Sequence, residues 1–333
     1  MAKKKVRKED IVQLLKESGG FLSGSGIAST LGVTRAAVWK TIVQLRKGGY
    51  LIDSFPAKGY CLLKSPDFCI QELRRTVPSG NIIGREIFFF ESTTSTNALG
   101  MELASNGCQE GTVVMADTQT GGKGRLGRCW MSPPGKNIYM SIVLRPSFSP
   151  RDATSLTLMS AVSCVSAIRR VTSVPATIKW PNDIMVKQLK LGGILTEIKA
   201  DIDSIAYAVV GIGINVNLSP SEIPDDIRLI ATSVMDQSGG LTSRTELAAA
   251  ILEEIDKWYS RLVAKGKQAI IDEWISFSST IGERVIVSTG STILEGLAET
   301  VDDDGLLILK LDDGRYSKIS AGDVKFARTK GAE

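Results

Sequence analysis

The sequence predicts an α+β protein in three parts: an N-terminal winged helix-turn-helix, a central mixed β-sheet with helices on one face, and a small C-terminal β-barrel. Three observations carry that prediction. The first 64 residues read helix, helix, turn, helix, hairpin. The strands of the middle segment follow one another through short hairpin-like links, whereas a doubly wound sheet needs a helix between most strands. Near the end, two Asp-Asp-Gly turns separate short β runs, a strong hairpin signal.

In the first part, residues 9–16 place Ile11, Val12, Leu14 and Leu15 at helical spacing, and a second short helix over 25–31 ends at Gly32. Thr34 caps a third helix, TRAAVWKTIVQLRK, in which Val38, Ile42 and Leu45 share a face while Arg35, Lys40, Gln44 and Lys47 lie elsewhere. The apolar face packs and the polar face is free to enter a major groove, with Thr34, Arg35 and Ala36 at the end that meets base edges in a helix-turn-helix. YLIDSFPAKGYCLL then alternates and turns at Pro56-Ala57-Lys58-Gly59, a wing tipped by Lys58. A basic three-helix packing domain is the alternative, but charge favours DNA. Residues 1–64 hold 12 Lys/Arg against 4 Asp/Glu, a local +8, which leaves −4 for the rest of a chain whose total is +4. Candidate DNA contacts are Thr34, Arg35, Ala36, Lys40 and Lys58.

Residues 65–79 carry Pro66 and Pro78 and read as a transition, so the domains are taken as 1–64, 65–278 and 279–333. Strands are expected at 86–91, 112–116, 137–144, 177–180, 184–187, 191–198 and 205–216, with long helices over 152–171 and 244–264. Residues 281–327 form the barrel strands around Asp303-Asp304-Gly305 and Asp312-Asp313-Gly314.

Composition narrows the chemistry. No run approaches 18 apolar residues, and the basic start leads into a polar helix instead of an apolar signal core, so a cytoplasmic protein without a membrane span is expected. Five scattered cysteines and no histidine exclude a histidine-based triad and argue against structural zinc. Any reaction must therefore rest on charge stabilisation and positioning.

Gly122-Lys123-Gly124-Arg125-Leu126-Gly127 spells G-x-G-x-x-G, the pattern that holds a dinucleotide pyrophosphate in a Rossmann fold. The residues just after it, Cys129-Trp130-Met131-Ser132-Pro133-Pro134-Gly135, forbid the helix that such a site requires. The stretch reads instead as a loop between two strands, carrying Lys123, Arg125 and Arg128 as a cover for an anion bound elsewhere.

Four stretches concentrate polar residues beside apolar strands: STTSTN (92–97), TQTGGKGRLGRCW (118–130), KWPND (179–183) with KLGGILTE (190–197), and GIGINVN (211–217). In this combination, and over essentially its full length, the chain resembles the bifunctional biotin protein ligases that also repress the biotin operon. The resemblance implies a class II synthetase-like central fold, with biotin and ATP as substrates, Mg²⁺ as metal, a biotin carboxyl carrier protein as acceptor, operator DNA as partner, and a homodimer.

Taken residue by residue, Lys190 is a solvated hairpin lysine beside a turn at Gln188-Leu189, or, as the resemblance implies, the contact to the biotin carboxylate and the α-phosphate. Ser95, Thr96 and Asn97 start a helix; the resemblance adds hydrogen bonds to the biotin ureido group, with Gln119 a further biotin contact. Trp180 is a core aromatic and Asn182-Asp183 a turn, or Lys179 lies near the phosphates with Asp183 holding Mg²⁺ or orienting Lys179. Gly193 allows close approach of a ligand. Asn215 sits in a strand too apolar to leave an amide idle and needs a ligand or backbone partner. The resemblance implies that a biotinyl-5′-adenylate forms, that Lys123, Gly124 and Arg125 cover it, and that Arg125, Lys179 and Lys190 are the catalytic candidates. Lys123 replaces the first arginine of the family's G-R-G-R-x-G-R loop, which keeps the charge and loses the planar fork. A repressor that has lost catalysis and a lipoate-type ligase are the alternatives.

Overall fold

The computed structural model describes residues 7–327 apart from 48 and 291. The basic run at residues 3–5 lies outside the described residues. The chain forms two compact units, Met1–Arg75 and Thr76–Glu333.

The first unit contains α1 (Lys8–Ser18), α2 (Gly24–Leu31), α3 (Arg35–Lys47), the hairpin β1 (Leu51–Phe55) and β2 (Gly59–Lys64), and most of α4 (Ile70–Thr76). Gly19 and Gly32 end α1 and α2 in the left-handed region, where a glycine has no Cβ to clash. The Thr34 hydroxyl accepts the Ala37 N–H at 3.2 Å, so α3 begins where the sequence places its cap. Ile11, Leu15, Ile27, Val38, Ile42 and Leu45 close the core. The expected transition at 65–79 contains the helix α4. Its Glu72 accepts the Tyr50 hydroxyl at 2.9 Å and pairs with Lys16, tying α4 into this unit. Apolar spacing is too sparse in so short a helix to announce it.

The second unit is built on a seven-stranded sheet in the order β3-β4-β5-β9-β8-β7-β6. Its strands are β3 (Ile87–Thr93), β4 (Val113–Gln119), β5 (Ile138–Leu144), β6 (Thr177–Lys179), β7 (Asp183–Val186), β8 (Leu189–Ala200) and β9 (Ile205–Ile214). Only β3 and β4 are parallel, because α5 (Thr96–Ser105) provides the crossover that a parallel pair needs. The other neighbours are antiparallel: β6–β7, β7–β8 and β8–β9 are joined by the short hairpin links read from the sequence, β4 and β5 by a long loop, and β5 pairs with β9 across the intervening strands.

Alternation along β5 divides the sheet's two faces. Ile142 shares a face with Val210 and Thr196, and the Thr196 hydroxyl meets that of Thr157 in α6 (Thr154–Thr172) at 2.7 Å. Twelve named positions of α6 are buried on this side, from Ser155 to Ile168. Two further helices pack against α6: α9 (Arg244–Lys265), which comes after the short α7 (Asp225–Arg228) and α8 (Val234–Ser238), and α10 (Gln268–Phe277). The long helices thus gather on one face. The shorter α5 takes the opposite face, where Asn97 bonds Ser141 of β5. That face holds the functional site.

The C-terminal strands β10 (Arg284–Thr289), β11 (Thr292–Val301), β12 (Leu307–Lys310), β13 (Tyr316–Ile319) and β14 (Asp323–Phe326) form an antiparallel sheet in the order β13-β12-β11-β10-β14. Gly305 and Gly314 turn with positive φ where the Asp-Asp-Gly signals lie. β13 and β14 sit at opposite edges, yet only Ser320, Ala321 and Gly322 join them. A flat sheet would hold these edges about 19 Å apart at ~4.8 Å per strand, beyond the roughly 14 Å that such a link spans. The sheet therefore curls upon itself, as the small barrel expected from the sequence requires.

Candidate functional site

A cavity of about 640 Å³ opens on the α5 side of the sheet. Ser95, Thr96, Asn97, Gln119, Lys123, Gly124, Arg125, Lys179, Asp183, Lys190, Gly193 and Asn215, every ligand and metal candidate of the sequence, line it. It has a neutral polar end, an aromatic floor and a cationic end.

The neutral end is a closed hydrogen-bond network. Ser95 caps α5 and is 2% exposed; Thr96 and Asn97 are 4% exposed. Gln119 Oε1 accepts the Thr96 N–H at 2.9 Å, while its Nε2 donates to Ser132 Oγ at 3.0 Å. Asn97 Nδ2 donates to Glu197 Oε2 at 2.8 Å and to the Leu195 carbonyl at 3.1 Å. Both amides are held in orientation before any ligand arrives, and their hydrogen bonds offset the cost of burying them. Gly211 makes room, since a Cβ there would fall 2.1 Å from Asn97 Oδ1.

The floor is the registered pair Gly193 and Gly213 on β8 and β9. A Cβ on Gly213 would lie 2.6 Å from the Trp130 indole nitrogen, and one on Gly193 would lie 3.6 Å from the same ring. The indole therefore rests on bare backbone. Its buried Nε1 has no hydrogen-bond partner among the described residues. The sequence motifs do not single out Trp130; its only signal is a large aromatic between a cationic loop and two prolines.

At the cationic end, Lys123, Arg125, Arg128, Lys179, Lys190 and Lys325 line the cavity against two carboxylates, Asp183 and Asp323. Burial pushes Lys179 below the ordinary lysine range, with Asp183 opposing that shift, and burial lowers Arg125 in the same way. Desolvated cations outnumbering their counter-ions make a site for a polyanion. Lys190 lies within β8, the turn being at Lys187-Gln188, one residue earlier than the sequence places it. The Lys190 ammonium meets Asp183 Oδ1 at 2.5 Å and stands 5.6 Å from the Trp130 ring. The expectation for Asp183 is that it orients Lys179 or holds a metal; its carboxylate pairs directly with Lys190 and acts on Lys179 through space.

The glycine-rich loop is a miniature hairpin between β4 and β5. Lys123 bridges Cys129, the Gly124 N–H donates to Arg128 O at 2.7 Å, and a short turn at Arg125–Gly127 puts Leu126 at an exposed tip. No helix starts there, as the two prolines require. Arg125 Nη1 donates to Asn182 Oδ1 at 3.1 Å, and Asn182 Nδ2 donates to Ile194 O at 2.6 Å. Arg128 pairs with Asp323 of β14, which holds that carboxyl below its usual range. Asn182, a turn residue by sequence, thus anchors the loop to β8. Trp180 is the core aromatic expected and donates to Gly305 O at 3.1 Å. Asn215 finds a backbone partner, donating to Thr232 O at 3.0 Å, which fastens the segment after β9.

Among the described residues no group of three or more Asp, Glu, Cys or His could hold a metal, so Asp183 belongs to no preformed metal cluster of that size. In the first unit Thr34, Arg35, Ala36, Lys40 and Lys58 are all exposed, with Thr34 also capping α3.

Residues 89–215 match the biotin/lipoate A/B protein ligase family, 7–61 an HTH domain and 280–326 the biotin protein ligase C-terminal domain. The chain is 36% identical over 319 residues to the bifunctional ligase/repressor BirA of Bacillus subtilis, covering 96% of this chain and 98% of that protein. It is 28% identical over 298 residues to the Escherichia coli protein of the same name, covering 90% and 91%. Among solved structures, the biotin protein ligase from Aquifex aeolicus in complex with biotin and ATP superposes with a TM-score of 0.63 at 28% identity, over 74% of this chain and 100% of that one. Three domain matches in chain order, and a relative so similar along nearly its whole length, place the chain in the biotin protein ligase family, among the bifunctional ligase/repressors.

Proposed function

We propose that this chain joins biotin to ATP and passes it to one lysine of a biotin carboxyl carrier protein, and that its first unit represses biotin genes as part of a homodimer in the cytoplasm. The observation that carries the catalytic half is the single cavity joining a preset neutral hydrogen-bond network to a cationic end. Biotin has those two ends, a neutral ureido ring that needs donors and acceptors, and a carboxylate. Ser95, Thr96, Asn97 and Gln119 receive the ring, and Lys190 receives the carboxylate. The apolar part of the ligand lies along Gly193 and Trp130.

The carboxylate oxygen attacks the α-phosphorus of ATP, the bond to the bridging oxygen breaks, and pyrophosphate leaves with that electron pair. No proton moves, so the absence of histidine is no obstacle. Lys179, Lys190 and Arg125 offset the charge that crowds together in the transition state. One carboxylate with substrate phosphates is the donor set that suits Mg²⁺, so Asp183 would hold the ion that arrives with the nucleotide and adds further neutralisation. The neutral amine of the acceptor lysine then attacks the acyl carbon of the mixed anhydride, the bond from that carbon to the phosphate oxygen breaks, AMP leaves with the electron pair, and the nitrogen gives up its proton to solvent. Lys123, Gly124, Arg125 and Arg128 keep water from the adenylate until then. Asn215 acts by fastening the segment that ends at Thr232.

Thr34, Arg35, Ala36 and Lys40 at the start of α3 face the major groove, with Lys58 of the wing on the backbone. No helix among the described residues is long and apolar enough to cross a membrane. Incubation with biotin, ATP and Mg²⁺, then chromatography, tests the first step: biotinyl-5′-adenylate should accumulate on the protein. Bound biotin with no adenylate would leave a biotin-sensing repressor, and adenylation of lipoate in preference would reassign the substrate.

A further inference from the structure

The wing of the first unit is pinned beside its tip. Leu22 and Tyr60 exchange two backbone hydrogen bonds of 2.8 Å, so the segment between α1 and α2 runs alongside β2. Gly59, at φ +103°, permits this approach, since a Cβ there would lie 2.0 Å from Leu22 O. Phe21 is thereby set beside Phe55 at the end of β1, with ring centroids 6.0 Å apart and edge to face at 74°. The rings remain 41% and 55% exposed. The Lys58 ammonium stands over both, 5.9 Å from Phe21 and 5.7 Å from Phe55. No carboxylate pairs with Lys58 among the described residues.

We propose that Phe21 and Phe55 form an aromatic platform that holds Lys58 at the wing tip for contact with a phosphate of duplex DNA. The inference rests on the reading of this unit as a DNA-binding domain. A free lysine loses rotamer entropy when it is fixed. The platform limits that loss by attracting the ammonium to two ring faces while leaving its donors unpaired. The partner must be a polyanion, because the first 64 residues carry +8 and the exposed face of α3 is basic. Phe21 and Phe55 are positioning residues, and Lys58 makes the contact.

The test uses the full-length protein with biotin and ATP, and two probes: the DNA upstream of the source genome's biotin genes, and a scrambled duplex of equal composition. Lys58→Gln should weaken both and lower the slope of log affinity against log salt by about 0.9, one phosphate's worth. Phe55→Leu and Phe21→Leu should each weaken binding by about two- to fivefold, Phe55→Tyr should restore it, and neither leucine variant should act further in a Lys58→Gln background. Wild type that binds neither probe would remove the DNA-binding reading itself. Wild-type binding with an unchanged salt slope in Lys58→Gln would overturn the contact. Phenylalanine effects that persist in full without Lys58 would overturn the platform.

Discussion

Lys190 and Asp183 face one another across the β7–β8 hairpin, with Nζ 2.5 Å from Oδ1, so an entering carboxylate must compete for the lysine with a group already present. Asp183→Asn removes the competitor. With no nucleotide present, the variant should bind biotin up to about fivefold more tightly, the scale of a partly exposed ion pair, while adenylate formation slows. Titration calorimetry and single-turnover kinetics separate the two effects; weaker biotin binding would show that the pair does not oppose the ligand.

Lys190→Gln should slow adenylate formation by about 10²- to 10³-fold, the cost of removing one preorganised charge from a developing anion. Because Lys190 is also proposed to receive the ground-state carboxylate, the Kd for biotin should rise as well. Quench-flow measurement of adenylate checks the first and calorimetry the second.

Arg125 reaches over the cavity from a loop otherwise exposed and is tied to β8 through Asn182. Arg125→Ala should release biotinyl-adenylate into solution about tenfold faster, in line with loss of one hydrogen bond to a charged group. An unchanged release rate would mean the loop is no lid.

Gly213→Ala places a methyl 2.6 Å from the Trp130 indole and forces the ring off the floor. Such overpacking should destabilise the second unit by about 1–3 kcal/mol and weaken biotin binding. Chemical denaturation and binding titrations measure the two consequences; retention of both would place the indole elsewhere in solution.

Lys179 is held below the ordinary lysine value of 10.5, chiefly because burial disfavours its charge. As pH rises through the lowered pKa the site loses a cation, so kcat/KM for ATP should fall on an alkaline limb that begins below 10.5. Lys179→Arg should move that limb upward, because a guanidinium stays charged. A limb in the same place would assign it to another group.

Most of the architecture is legible in the sequence because hydrophobic period and turn chemistry agree locally. Thr34, Ser95, Gly32 and the two Asp-Asp-Gly turns each mark a boundary that the structure keeps. The helix α4 escapes because seven residues give too little periodicity, and α10 because Ile270, Ile271 and Trp274 fall in a stretch with no capping residue. Four motifs and a resemblance collect the cavity's residues. The pairings within it, Lys190 with Asp183, Arg125 with Asn182 and Arg128 with Asp323, are not readable, since each depends on how loops meet in space. Arg128 and Asp323 are 195 residues apart and meet only because the curled C-terminal sheet brings β14 to the cavity.

The cavity is proposed to make an activated biotin and deliver it to a protein amine. Purified protein, biotin, ATP and Mg²⁺ mixed with a biotin carboxyl carrier domain should add one biotinyl group to one lysine, read by intact mass and peptide mapping, with the rate reduced in Lys190→Gln. An acceptor left unmodified by a wild-type protein that still binds biotin would contradict it.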